Sequence, residues 1–256
     1  MSTSLPYRVG HSALTLSATV GQMAILLART LRRIHLFDRD ELFRALHKMA
    51  VRSLPIVIVT ALFAGVIMVT QTAPLVKRVG AEGLLGWGAG FGTLREIAPL
   101  LTALMISGRV GANNTAELGT MVATEQIDAL RVLAIDPIAF LIVPRFLALV
   151  VTMVTMTLFA DALALVGAAY TGQGLLGVSP VTFYNGLTNG LLQFDAVANG
   201  LLKAFVFGII IALSSCHYGL ATTGGAPGVG RAVNGSVVTS AAGIFVVDYF
   251  VSFVVG

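Results

Sequence analysis

Charge is scarce in this sequence. Asp, Glu, Lys and Arg make up 11% of its 256 residues, against about 25% in an ordinary soluble domain, which excludes a chain built to live in water. Only one cysteine is present, Cys216, so no disulfide closes within the chain. The four histidines, His11, His35, His47 and His217, lack metal-ligand spacing, and no HExxH motif or nucleophile beside a base is present, which leaves an intramembrane enzyme without candidates. The long period-2 alternation of a membrane barrel is also missing. Residues 171–195 contain neither Lys nor Arg.

What the sequence does have is apolar length. Hydrophobic residues make up 56% and the mean hydropathy is +0.90. About 20 apolar residues cross a hydrocarbon core as a helix, and five such spans are expected, near 54–73, 97–110, 138–170, 196–216 and 233–255. The predicted fold is an all-α integral membrane protein. Ahead of the spans, Leu16, Val20, Met23, Leu27, Leu31 and Ile34 recur on one face before Arg29, Arg32 and Arg33 close the segment. That pattern predicts an amphipathic helix lying in the interface; its Ser, Thr and Gln content argues against a sixth span. The basic cluster follows the apolar stretch, where a signal peptide has it first. A second amphipathic helix follows, with Asp38 as cap, Glu41 three residues on, and Leu42, Phe43, Leu46 and Met49 in a stripe. Residues 1–53 are therefore read as an interfacial region and 54–256 as the transmembrane domain, with Pro55 in the first turn of its first span. In GLLGWGAGFG, Gly86 and Gly90, and Gly88 and Gly92, stand four apart, a spacing that fits close helix contact in lipid as well as a flexible connector.

Basic residues assign the sides. Arg8, Arg29, Arg32, Arg33, Arg39, Arg44, Lys48 and Arg52 precede the first span, and Arg109, Arg131, Arg145 and Arg231 fall in loops on the same side; Lys77, Arg78 and Arg95 fall on the other. The positive-inside rule then makes the amino terminus cytoplasmic.

GGAPGVGRA, residues 224–232, resembles a phosphate loop. Gly225 and Gly230 have the right separation, but Arg231 and Ala232 stand where the lysine and the magnesium-binding hydroxyl are required. It is read as a tight turn between two spans, so no ATPase is expected on this chain.

The segment AELGTMVATEQIDALRVLAIDP, residues 116–137, predicts a short cytoplasmic helix. Asn114 or Thr115 would cap it, Glu117 suits its first turn, and Leu118, Met121 and Val122 form an apolar patch beside Glu125 and Asp128. A helix of this kind is either a solvated connector or a docking element for a partner.

The run REIAPLLTALMISGRVGANNTAELGTMVATEQIDALRVLAIDPIAFLIVPR, with the later NGLLKAFVFG and GGAPGVGRAVNGSVV, resembles the MlaE/YrbE permeases of ABC-type lipid transporters, from about residue 50 onward. The resemblance implies a homodimeric permease in a bacterial inner membrane that moves phospholipids between inner and outer membranes and so maintains outer-membrane asymmetry. It implies a separate ABC-type ATPase, which binds the ATP and magnesium, docked through Glu117, Leu118, Met121, Glu125 and Asp128, with no cofactor on this chain. A periplasmic ring of MCE-domain proteins and a STAS-domain protein are implied as further partners. Asn113 and Asn114 depart from the family's small or apolar residues.

Charges inside spans mark function or pairing. Arg95 and Glu96 begin the second span, Asp161 lies in the third, Asp195 and Lys203 border and enter the fourth, and Asp248 lies in the fifth. They are read as an ion-pair network or as a lipid path with Arg95 near a phosphate. A proton-coupled transporter using Glu96, Asp161 and Asp248 is the rival reading, and a scaffold that transports nothing is a third.

Overall fold

A computed structural model describes residues 5–80, 82–188 and 194–255, and among these the chain is helical with no strand. Helix α1 covers Leu5–Arg32. After a 3₁₀ turn at Ile34–Leu36, α2 covers Arg39–Val79, α3 Leu85–Ala123, α4 Gln126–Val132, α5 Ile138–Leu176, α6 Pro180–Thr188, α7 Phe194–Leu220 and α8 Gly225–Val255. Five of these, α2, α3, α5, α7 and α8, are long and apolar enough to cross a membrane. The protein is thus an all-α, multi-pass membrane protein.

Helix α2 corrects one expectation. Asp38 does cap it, its Oδ1 accepting from Asp40 N at 2.9 Å. The helix then runs unbroken for 41 residues through Pro55 and Pro74 to a left-handed Gly80. Pro55 is an interior residue, and the boundary placed between 53 and 54 falls inside one helix. Membrane helices tolerate such prolines because neighbouring groups take up the freed carbonyls. The amphipathic stripe and the first span are therefore one rod of about 60 Å.

Small residues set how closely the rods approach. A Cβ on Gly65 of α2 would lie 1.9 Å from the Ala164 carbonyl oxygen of α5, and one on Gly167 2.5 Å from Leu62 O, so α2 and α5 cross with backbones in contact. Around this crossing Val57, Ala61, Leu149, Met153, Met156 and Ala160 form the main core, which continues through Phe207 and Ile211 of α7. In GLLGWGAGFG, Gly86 to Gly92 are helical: a Cβ on Gly86 would collide with the Phe183 carbonyl of α6, and one on Gly92 would lie 2.5 Å from Met68 Cε of α2, so these glycines serve close contact rather than a flexible connector. Helix α1 packs its last turns on the end of the bundle, where Leu26 joins Leu118, Ile127, Leu141, Ile142 and Cys216, while its Leu14, Val20, Ile25 and Leu31 face outward. Arg33 Nη1 fixes that end, 2.6 Å from Asp136 Oδ2.

GGAPGVGRA is mostly helix. Gly224 and Gly225 have φ of +84° and +67° and turn the chain directly into α8, with no preceding strand to make a phosphate loop.

Candidate functional site

Helix α3 departs from regular α geometry twice, in π-helical turns at Thr93–Ile97 and Ser107–Gly111. Single π turns change which way side chains project and are common at functional positions. The first turn carries Arg95 and Glu96. Helix α7 reaches it because Gly200 has no side chain: a Cβ there would sit 2.2 Å from Leu94 O. One turn further along α7, Lys203, 1% exposed, meets the Glu96 carboxylate. Its Nζ also lies 2.9 Å from Asp248 Oδ1 and donates to Ser252 Oγ at 2.7 Å. Arg95 Nε stands 3.8 Å from Glu96 Oε1, with its guanidinium 5.4 Å from the centroid of Phe91. Two cations and two carboxylates from three helices thus balance. A buried cation is tolerated in an apolar bundle only when paired in this way. Glu96 and Arg95 remain partly exposed, at 36% and 21% of their side chains, so the cluster has a buried anchor and an open edge.

The other end of α3 makes a hairpin with α5. The helix expected to start at Asn114 or Thr115 has no break there. Both residues are buried mid-helix: Asn114 Nδ2 donates to Ser215 Oγ at 2.8 Å, and Thr115 Oγ1 donates to Gly111 O at 2.9 Å with Ser236 Oγ also 2.9 Å away. In an apolar bundle, polar side chains are drawn to each other more strongly than to a helix end. Leu118 is fully buried, so it is a core residue and does not present itself to a partner. Glu117 faces inward as well, joining Lys48, Arg145 at 3.7 Å and Asn113 at 2.7 Å.

Beyond Ala123 the chain breaks out of α3. Glu125 adopts φ +58° and Ala134 φ +57°, left-handed conformations that cost an L-residue about 1–2 kcal/mol each, and they bracket α4. Ile127 anchors α4 in the core. Glu125 and Asp128 point outward, while Val132 and Leu133 are 86% and 69% exposed. Met121 is half-buried at the base. The tip thus presents an exposed apolar pair with an acidic flank, held by a strained turn.

Comparison with known proteins decides the family. The model of the family described as Permease MlaE matches residues 42–254. The chain belongs to the MlaE permease family. A probable ABC transporter permease protein of Synechocystis is 37% identical, covering 84% of this chain and 81% of its own length. A probable ABC transporter permease protein of Rickettsia felis is 33% identical across 98% of both chains. The intermembrane phospholipid transport system permease protein MlaE of Haemophilus influenzae is 29% identical over 82% of this chain and 81% of its own. This MlaE-family chain is an ABC transporter permease.

In this permease, Arg95, Glu96, Lys203 and Asp248 come together, and two further candidates stand apart. Asp161 is buried in α5 with neither carboxylate oxygen hydrogen-bonded. Asp195 is exposed in the first turn of α7 and makes no ion pair among the described residues. Gly200 and Ser252 were not singled out from sequence, although a small residue one turn before Lys203 was a legible signal. Val132 and Leu133, the most exposed part of the hairpin, were also missed, although they lie within the 116–137 segment, because the apolar patch was placed at Leu118, Met121 and Val122.

Proposed function

We propose that the protein is the permease of a system that moves phospholipids between the inner and outer membranes of a bacterium and so maintains the outer membrane's lipid asymmetry, working as a homodimer in the inner membrane with its amino terminus in the cytoplasm. A separate ABC-type ATPase docks on the α3–α5 hairpin, binds ATP and magnesium, and drives the cycle; MCE-domain proteins in the periplasm and a STAS-domain protein on the ATPase complete the assembly. The observation that carries this reading is the hairpin tip. Val132 and Leu133 are apolar anchors, and Glu125 and Asp128 supply the acidic edge that selects a partner. Leu118 and Glu117 act from behind, holding the tip on the bundle. At the far end of α3, the open edge of the Arg95 cluster faces the lipid path, and Arg95 holds the cargo's phosphate by a charge-assisted contact.

Two substitutions test the two ends. Glu125→Lys reverses charge on an exposed side chain, so the chain folds and loses ATPase binding; a variant that still co-purifies its ATPase at the wild-type ratio sinks the docking role. Arg95→Ala lowers the lipid phosphorus retained by the purified chain while assembly is unchanged, and equal phosphorus in both proteins counts against the phosphate role.

The proton-driven alternative has one specific observation behind it, the unpartnered buried carboxyl of Asp161. Asp161→Asn separates the two readings. An ATP-driven permease keeps transport within about twofold of wild type, since the amide has the same shape; loss of transport with intact ATP hydrolysis favours the relay.

A further inference from the structure

At the end of α2 and α3 away from Lys203 lies a cavity of about 180 Å³, lined by Lys48, Arg52, Arg109, Asn113, Asn114 and Glu117. Arg109 sits in the second π-helical turn of α3, 14 residues and so about 21 Å along the axis from Arg95. On α2 the cavity ends just before the apolar run that begins at Leu54, which sets it at headgroup depth.

The polar groups around it do not balance. Lys48 is committed to Glu117, and Glu117 also takes Arg145 and Asn113. Among the described residues, Arg52 and Arg109, both exposed, make no side-chain hydrogen bond or ion pair, so two guanidinium groups reach the cavity while Glu117, the carboxylate in its lining, is already shared by Lys48 and Arg145. Asn114 is 2% exposed. Its Nδ2 is used by Ser215, but its Oδ1, an acceptor, has no partner. A buried acceptor left open costs stability. The wall therefore asks for one anionic group with several acceptor oxygens and one hydroxyl or N–H donor beside it.

We propose that this cavity is a phosphate-ester site at the headgroup level of the leaflet opposite the Arg95 cluster. The two guanidinium forks grip phosphate oxygens, a geometry for which arginine is suited, and Asn114 Oδ1 accepts from a hydroxyl or amine on the same molecule. A volume of about 180 Å³ admits a headgroup and excludes acyl chains, which lie outside against α2, where Val59, two turns beyond Arg52 on the same face, is exposed. The same chemistry describes a free phosphate. The lipid as occupant rests on the permease reading above, whereas the phosphate site does not.

Native mass spectrometry of the full chain in mild detergent tests this, with dioleoylphosphatidylglycerol, dioleoylglycerol and inorganic phosphate as probes. Wild type binds one more phosphatidylglycerol than Arg52→Gln/Arg109→Gln, whose affinity at that site falls about tenfold; dioleoylglycerol, which lacks phosphate, does not occupy it. Arg52→Lys/Arg109→Lys recovers part of the binding, which a folding defect would not allow. Competition by millimolar inorganic phosphate keeps the site and makes free phosphate its occupant. Identical phosphatidylglycerol binding by wild type and the double Gln variant overturns the proposal. Arg95→Ala in the same titration reports on the other end of α3, so a lipid lost there alone leaves the permease reading standing while this site fails.

Discussion

The two π-helical turns of α3 each carry an arginine into a cluster of charges, and the clusters differ in how they close. At Thr93–Ile97, Arg95 and Lys203 face Glu96 and Asp248, so the charges cancel and the innermost member, Lys203, is 1% exposed. At Ser107–Gly111, Arg109 and Arg52 stand free while Glu117 is shared by Lys48 and Arg145. Burial explains the difference. A buried cation has to bring its counter-ion on neighbouring helices; exposed ones, as Arg52 and Arg109 are, can leave that role to water or a ligand.

Breaking the closed cluster has the largest effect. Lys203→Met removes the cation that Glu96 and Asp248 share, leaving Arg95 beside Glu96 alone, and lowers stability by about 3–5 kcal/mol, read as an earlier thermal unfolding transition in detergent. Adding Glu96→Gln and Asp248→Asn restores most of the loss, and a triple variant as unstable as the single one contradicts the pairing account. The open cluster is softer. Glu117→Gln weakens the links to Lys48 and Arg145 and costs about 1–3 kcal/mol, because Glu117 keeps a third of its side chain exposed. The pair Asp128–Arg131, 2.8 Å apart but 67% and 65% exposed, sets the floor: Asp128→Asn changes stability by less than about 1 kcal/mol. A loss at Asp128 matching that at Lys203 would remove the connection between burial and cost.

These contrasts also explain what was legible in the sequence. The five spans were readable because apolar length is a local property, and the capping role of Asp38 was readable for the same reason. The continuity of α2 was not, since Pro55 suits a first turn as well as an interior that neighbours can support. Asn114 and Thr115 read as caps because a single sequence does not reveal that Ser215 and Ser236 lie opposite them. The charged residues of the first cluster were all visible as a set of candidates. Which of them meet depends on Gly200 letting α7 touch the Leu94 carbonyl, a contact between segments about 100 residues apart. Leu118 was expected to face a partner and lies in the core, while Val132 and Leu133 face outward, because the left-handed turn at Glu125 rotates α4 away from the axis of α3.

The most direct measurement is purification of the chain from its own membrane in mild detergent, with co-purifying proteins identified and quantified. An ABC-type ATPase in near-equal amount, lost on Glu125→Lys, is the predicted result. A folded chain that comes through alone and still moves lipid or protons without ATP would contradict the account.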